Sequence, residues 1–81
     1  MAKVKDAVVK RFKKICSERG IKPNELANIS GVTPSTVYSL FDDKRRNVSI
    51  STIKILCDGL DVTLKEFFSS DIFEDLEQEI E

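Results

Sequence analysis

Five hydroxyl-bearing residues, Thr33, Ser35, Thr36, Tyr38 and Ser39, crowd into a stretch of seven. A hydroxyl becomes a nucleophile only beside a positioned base; otherwise it donates and accepts hydrogen bonds. The chain has no histidine, no glycine-rich loop that could cradle a phosphate, and only scattered carboxylates. No catalytic residue and no enzyme activity are therefore expected, and the chemistry on offer is hydrogen bonding from a short polar surface.

Shortly after this stretch comes Lys44-Arg45-Arg46. Three adjacent cations suit a run of phosphates, although the same residues in a loop also serve as plain solvated charge. The two cysteines, Cys16 and Cys57, stand far apart and have no histidine beside them. They cannot assemble a zinc site from common parts and read as small core hydrophobes in a reducing compartment, so neither metal nor cofactor is expected.

The net charge of −1 conceals a segregation. Residues 1–46 carry 11 Lys and Arg against 5 Asp and Glu, a surplus of +6, while residues 47–81 carry 2 against 9, a deficit of −7. That asymmetry reads either as one basic face and one acidic end or as two solvated halves. At 81 residues, 41% hydrophobic and 33% charged, the chain supports one small core. No apolar run is long enough to cross a bilayer, and Met1-Ala2-Lys3-Val4-Lys5-Asp6 lacks the apolar centre of a signal peptide, so a cytoplasmic protein without a membrane partner is expected.

The elements that must hold the polar stretch are helices. Val4, Val8, Phe12, Ile15 and Cys16 recur at helical spacing through residue 19, with Lys5, Lys10, Arg11, Lys13 and Lys14 filling the remainder, and Gly20 closes the first helix. Pro23 opens a short second helix through Ser30, with Leu26, Ala27 and Ile29 as its apolar content. Gly31 ends it, Val32 anchors the turn, and Thr33-Pro34 starts a third helix reaching about Phe41, with Val37, Leu40 and Phe41 inward. After a charged loop, Ser51 is placed to cap a fourth helix carrying Ile53, Leu56, Cys57 and Leu60. Thr63 caps a fifth, through about Ser69, with Leu64, Phe67 and Phe68 inward.

Two short helices joined by a glycine-containing turn form a unit whose second helix fits a major groove. Ala27 permits close crossing, Gly31 supplies the positive-φ turn, Val37 faces back, and Leu26, Val32 and Leu40 complete the apolar side. The outward face is then Thr33, Ser35, Thr36, Tyr38 and Ser39, none of them bulky enough to block approach to base edges. Tyr38 can meet a phosphate, stack on a sugar, or lie across the first helix.

Glu25-Leu26-Ala27, Gly31-Val32-Thr33, Ser35-Thr36-Val37-Tyr38, and Ile53 through Cys57 with Leu60, in this order and spacing, resemble the lambda repressor and Cro family of helix-turn-helix domains, also called the xenobiotic-response-element family. The resemblance covers about residues 5 to 68 and implies a compact, all-α, five-helix, lambda-repressor-like DNA-binding domain. It implies that Pro34, Ser35, Thr36 and Ser39 read bases, and that Thr33 caps the helix and reaches a phosphate. Where the family usually offers a glutamine to the backbone this chain has Pro23, which transfers that contact to Lys22 or Asn24. The base-reading positions lack the Gln, Asn and Arg that make bidentate contacts, so DNA shape, thymine methyls, water, Lys44 and Arg45 are expected to contribute to specificity. Arg46 joins them as a backbone contact.

The expected organisation is a DNA-binding domain over residues 1–70 and an acidic tail over 71–81 that can form a helix, with Phe73, Leu76 and Ile80 on one stripe. The tail has three readings: a homodimer contact, packing back on the first helix, or a frayed acidic end. The expected function is a sequence-specific transcriptional regulator of double-stranded DNA, a repressor of phage, mobile-element or host genes. The alternative is a protein-interaction module, such as an antitoxin or a regulator's partner, built on the same fold.

Overall fold

Helix α1, Val4–Arg19, buries Lys5, Ala7, Val8, Phe12, Ile15 and Cys16 along one stripe in a computed structural model that describes residues 3–42, 48–74 and 76. It stops at Gly20, whose φ of 66° is open to glycine at little cost and lets the backbone N–H groups close onto Cys16 and Ser17. Helix α2, Pro23–Ser30, begins on the proline, and Gly31 at φ 73° ends it in the same way. Helix α3, Pro34–Phe41, follows after a three-residue turn. Helices α4, Ile50–Gly59, and α5, Leu64–Phe68, complete the α-helices among the described residues, and a 3₁₀ turn at Asp71–Phe73 follows.

The core gathers Val8, Phe12, Leu26, Ala27, Val37, Leu56, Cys57 and Phe67, each 0% exposed, so every α-helix delivers at least one side chain to a shared centre. Cys16 and Cys57 are both buried free thiols within or against it. Phe12 and Phe67 meet with ring centroids 4.5 Å apart, which ties the first helix to the last.

Several expectations change. Ser49, not Ser51, caps α4: its Oγ accepts a hydrogen bond from Thr52 N–H at 3.1 Å. Val48 packs partly buried against the core, which puts it and buried Ile53 at the two positions of a hydrophobic staple and draws the helix start forward. Thr33 stands at the start of α3, but its side chain makes no capping bond.

Val4 is exposed at the open end of α1, while Lys5, which sequence assigned to the polar face, is 5% exposed. Its stem lies in the core and its ammonium donates to the Asp42 carbonyl at the far end of α3. Ile29 and Phe68 also point outward, at 51% and 37% exposure; Phe68 leans edge-on against Phe67 at 5.0 Å.

Two arginines of α1 work inside the fold. Arg11 donates to the carbonyls of Phe67 at 2.9 Å and Glu66 at 3.1 Å, and Arg19 donates to the carbonyl of Leu60. These cations meet the electronegative C-terminal ends of α5 and α4, where carbonyls lack helical partners. Phe73 stacks 4.9 Å from Phe68 and 5.7 Å from Phe67, so the chain folds back on the core as far as the 3₁₀ turn. Asp75, Glu77, Glu79 and Ile80 of the expected tail helix lie outside the described residues.

Candidate nucleic-acid interface

The α2–α3 pair is built from the inside outward. Leu26, Ala27 and Val37 are fully buried, Leu40 is nearly so, and Val32 packs partly buried against the same core. Ala27 carries no side-chain atom beyond its Cβ to hold the helices apart, and α2 and α3 sit close. Val32 N–H donates to the Ala27 carbonyl at 3.1 Å, which fixes the turn between them.

Burying Val37 and Leu40 turns the opposite side of α3 to solvent. Thr33, Pro34 and Ser35 are exposed, Tyr38 is 53% exposed, and Thr36 and Ser39 are half-buried. The hydroxyl of Thr33 shares a hydrogen bond with that of Ser35 at 3.0 Å and with that of Thr36 at 3.1 Å. A hydroxyl has one proton and two lone pairs, so this cluster retains capacity for an outside partner while each side chain is held by its neighbour. Pro34 contributes no N–H, which leaves the first turn of α3 with one fewer donor.

The remaining described candidates stand at the start of α2, the helix that packs on α3. Lys22 and Asn24 are exposed there, and Glu25 curls back to accept the Lys22 N–H at 3.1 Å. The Glu25 carboxylate is thereby used in the helix start. Lys44, Arg45 and Arg46 lie outside the described residues. The described candidates thus fall into two groups: hydroxyls on the first turns of α3, and Lys22 with Asn24 at the entry to α2.

Sequence reasoning missed the fate of the basic residues on α1. It sets Lys5 and Arg11 apart from the apolar stripe of α1 and gives Arg19 no role, whereas all three bind backbone carbonyls distant in sequence. Helical periodicity holds a partial signal, since Lys5 is three residues before Val8 and seven before Phe12 on the buried stripe. No local pattern identifies the carbonyls these cations reach.

The thiols contribute no reactive group. Burial raises both, and Cys57, with Asp58 adding to the effect, is pushed up to about 11. Among the described residues no group of three or more Cys, Asp or Glu side chains is placed to hold a metal ion. No helix of the described chain is long and apolar enough to cross a membrane.

A family of Cro/C1-type helix-turn-helix DNA-binding domains matches residues 11–71. The crystal structure of prophage Lp1 protein 11 superposes with a TM-score of 0.80 at 21% identity, covering 94% of this chain and 100% of that one. At that identity the likeness speaks for the all-α fold. No curated protein matches the sequence.

Proposed function

Because the chain belongs to the Cro/C1-type helix-turn-helix DNA-binding domain family, we propose that it is a sequence-specific transcriptional regulator that inserts α3 into the major groove of double-stranded DNA and represses by covering a promoter. The observation that carries this reading is the hydroxyl-rich outer face of α3, backed by buried Val37 and Leu40 on a helix set close against α2. A helix about 10–12 Å across fits a groove of about 12 Å, so the side chains on that outer face reach base edges.

In this arrangement Pro34, Ser35, Thr36 and Ser39 face bases. Lys22, Asn24, Thr33 and Tyr38 meet the sugar-phosphate backbone, together with Lys44, Arg45 and Arg46. Hydroxyls discriminate less than the bidentate Arg, Asn or Gln contacts that are worth about 1–3 kcal/mol each, so groove shape, thymine methyls against Thr36 and bridging water carry much of the specificity. The regulator works in the cytoplasm as a homodimer, with residues 1–70 as the DNA-binding unit and residues 71–81 as an acidic tail turned away from the duplex.

Selection from a random duplex library at moderate salt tests the reading. A palindromic motif with half-sites about one helical turn apart, roughly 34 Å, is the expected result. The second reading, a protein-interaction module, is favoured by the absence of Arg, Asn and Gln at positions 34, 35, 36 and 39. Folded protein that enriches no sequence decides for it.

A further inference from the structure

We infer that Lys10 and Lys13 of α1 form a second phosphodiester-binding edge beside the end of the recognition helix, gripping the backbone of the same duplex as Lys22 and Asn24. The inference rests on the DNA-binding reading above and adds to it a contact on a helix that the reading leaves free of DNA.

The argument begins with which cations on α1 are available. Lys5, Arg11 and Arg19 are tied to backbone carbonyls within the fold. Lys10 and Lys13 are exposed, and neither is held in an ion pair among the described residues. Both line an open recess of about 310 Å³ together with Lys5, Asp6, Val9 and Phe41. With Lys5 committed to the Asp42 carbonyl, two exposed lysines, Lys10 and Lys13, stand there against the one carboxylate of Asp6, so the recess favours an anion.

Placement decides which anion. Phe41 is the last residue of α3, and the Lys13 ammonium lies 5.6 Å from the centre of its ring. Tyr38, three residues before Phe41, shares its side of the helix and is 53% exposed. The side of α3 that carries exposed Tyr38 therefore leads to half-buried Phe41, which lines the lysine-bearing recess. A recognition helix in a major groove has a phosphate strand along each edge, about 12 Å apart, and elements flanking that helix meet those strands. Lys22 and Asn24 stand at the entry to α2, which packs on α3, and Lys13 stands against the last residue of α3. Val9 and Phe41 supply the apolar lining of the recess, and the Lys13 ammonium lies against the Phe41 ring.

The test is the salt dependence of binding to a fluorescein-labelled, mixed-sequence duplex of about two helical turns, read by anisotropy from about 50 to 200 mM salt. The Lys10→Gln/Lys13→Gln double variant is expected to weaken binding about tenfold at the lowest salt and to shrink the slope of log K against log salt by about 1.8, or about 0.9 per lost phosphate contact. A Lys54→Gln/Lys65→Gln double variant removes equal charge from α4 and α5 and is expected to keep the original slope. Thermal unfolding checks that each variant folds. If losing the Lys13 contact with Phe41 unfolds the first double, Lys10→Gln alone carries the test with an expected slope change of about 0.9. An unchanged slope in the α1 variant, or equal loss in both doubles, overturns the inference and leaves the DNA-binding reading standing. A wild-type protein that binds no duplex overturns that reading, and the inference with it.

Discussion

A methyl group placed on Gly59 falls 2.2 Å from the hydroxyl oxygen of Ser30 and 2.8 Å from its Cα. Helices α2 and α4 therefore touch backbone to backbone where the last residue of one meets the last residue of the other. The Ser30 hydroxyl is buried in this contact without a hydrogen-bond partner among the described residues. Close approach here sets the angle at which α2 leaves the core, and hence where α2 presents its first turn beside α3.

Gly59→Ala sets two effects against each other. Alanine in place of a helical glycine gains up to about 1 kcal/mol of helix propensity, whereas overpacking a close contact costs about 1–3 kcal/mol. Because the overlap includes Ser30 Cα and not only a side chain that can swing away, overlap wins. Urea unfolding should show a net loss of about 1–2 kcal/mol, within the overpacking range. Ser30→Ala in the wild-type background should be neutral or stabilising, since it removes an unpartnered buried hydroxyl. A stabilised Gly59→Ala variant would show that the two helices can separate freely.

Gly31→Val isolates backbone strain from crowding. Nothing lies within 4 Å of a Cβ built there, but the residue sits at φ 73°. A β-branched residue in the left-handed region is disfavoured by roughly 1–2 kcal/mol or more, and asparagine by less. The valine variant should lose that amount in urea unfolding and the Gly31→Asn variant clearly less. Equal losses would place the cost in side-chain contacts and not in the turn.

These two glycines separate what local sequence reveals from what it hides. Gly20, Pro23, Gly31 and Thr33-Pro34 punctuate the chain by their own conformational limits, and the end of α1, both ends of α2 and the start of α3 fall where those residues put them. The start of α4 is different, because Ser49 and Ser51 are chemically equal and only the packing of Val48 against the core selects the first. Lys5 is harder still: its carbonyl partner lies 37 residues along the chain. At the candidate interface, the residue types Thr33, Ser35 and Thr36 are legible as polar. That their hydroxyls bond one another, and that α1 brings Lys13 to the end of α3, depends on three-dimensional placement.

The two ends of the pH scale act through different groups. Glu66 accepts the Thr63 backbone N–H at 3.2 Å, and its interactions with the Thr63 backbone and side chain hold its carboxyl below the ordinary value of 4.5. A depressed folded-state value contributes stability that is present above the unfolded value and lost as pH falls through the folded one. Cys57 is the reverse case: an acid neutral in the fold, raised from 9.0 to about 11 mainly by burial. Unfolding then releases a proton at high pH, so stability falls as pH rises from about 9 toward 11. In urea titrations at a series of pH values, Glu66→Gln should flatten the acidic limb and Cys57→Ala the alkaline limb. Unaltered limbs would mean that these groups titrate alike in the folded and unfolded chain.

Thr36→Ala with Ser39→Ala tests the proposed reading face most directly. Both residues are half-buried, Thr36 at the edge of the Val37 and Leu40 stripe and Ser39 farther round α3, and neither belongs to the buried core, so the double variant should keep its helical circular dichroism and unfold within about 1 kcal/mol of wild type. Thr36 also gives up its bond to Thr33, which frees the Thr33 hydroxyl at an exposed position where water replaces it. Affinity for a duplex selected by the wild-type protein should fall about tenfold or more, near the lower end of the 1–3 kcal/mol assigned to a base contact. Affinity for mixed-sequence duplex should change little, because phosphate contacts supply that binding. Equal losses on both duplexes would move these hydroxyls to the backbone, and a collapse of the helical signal would place them in the core and remove them from the reading face.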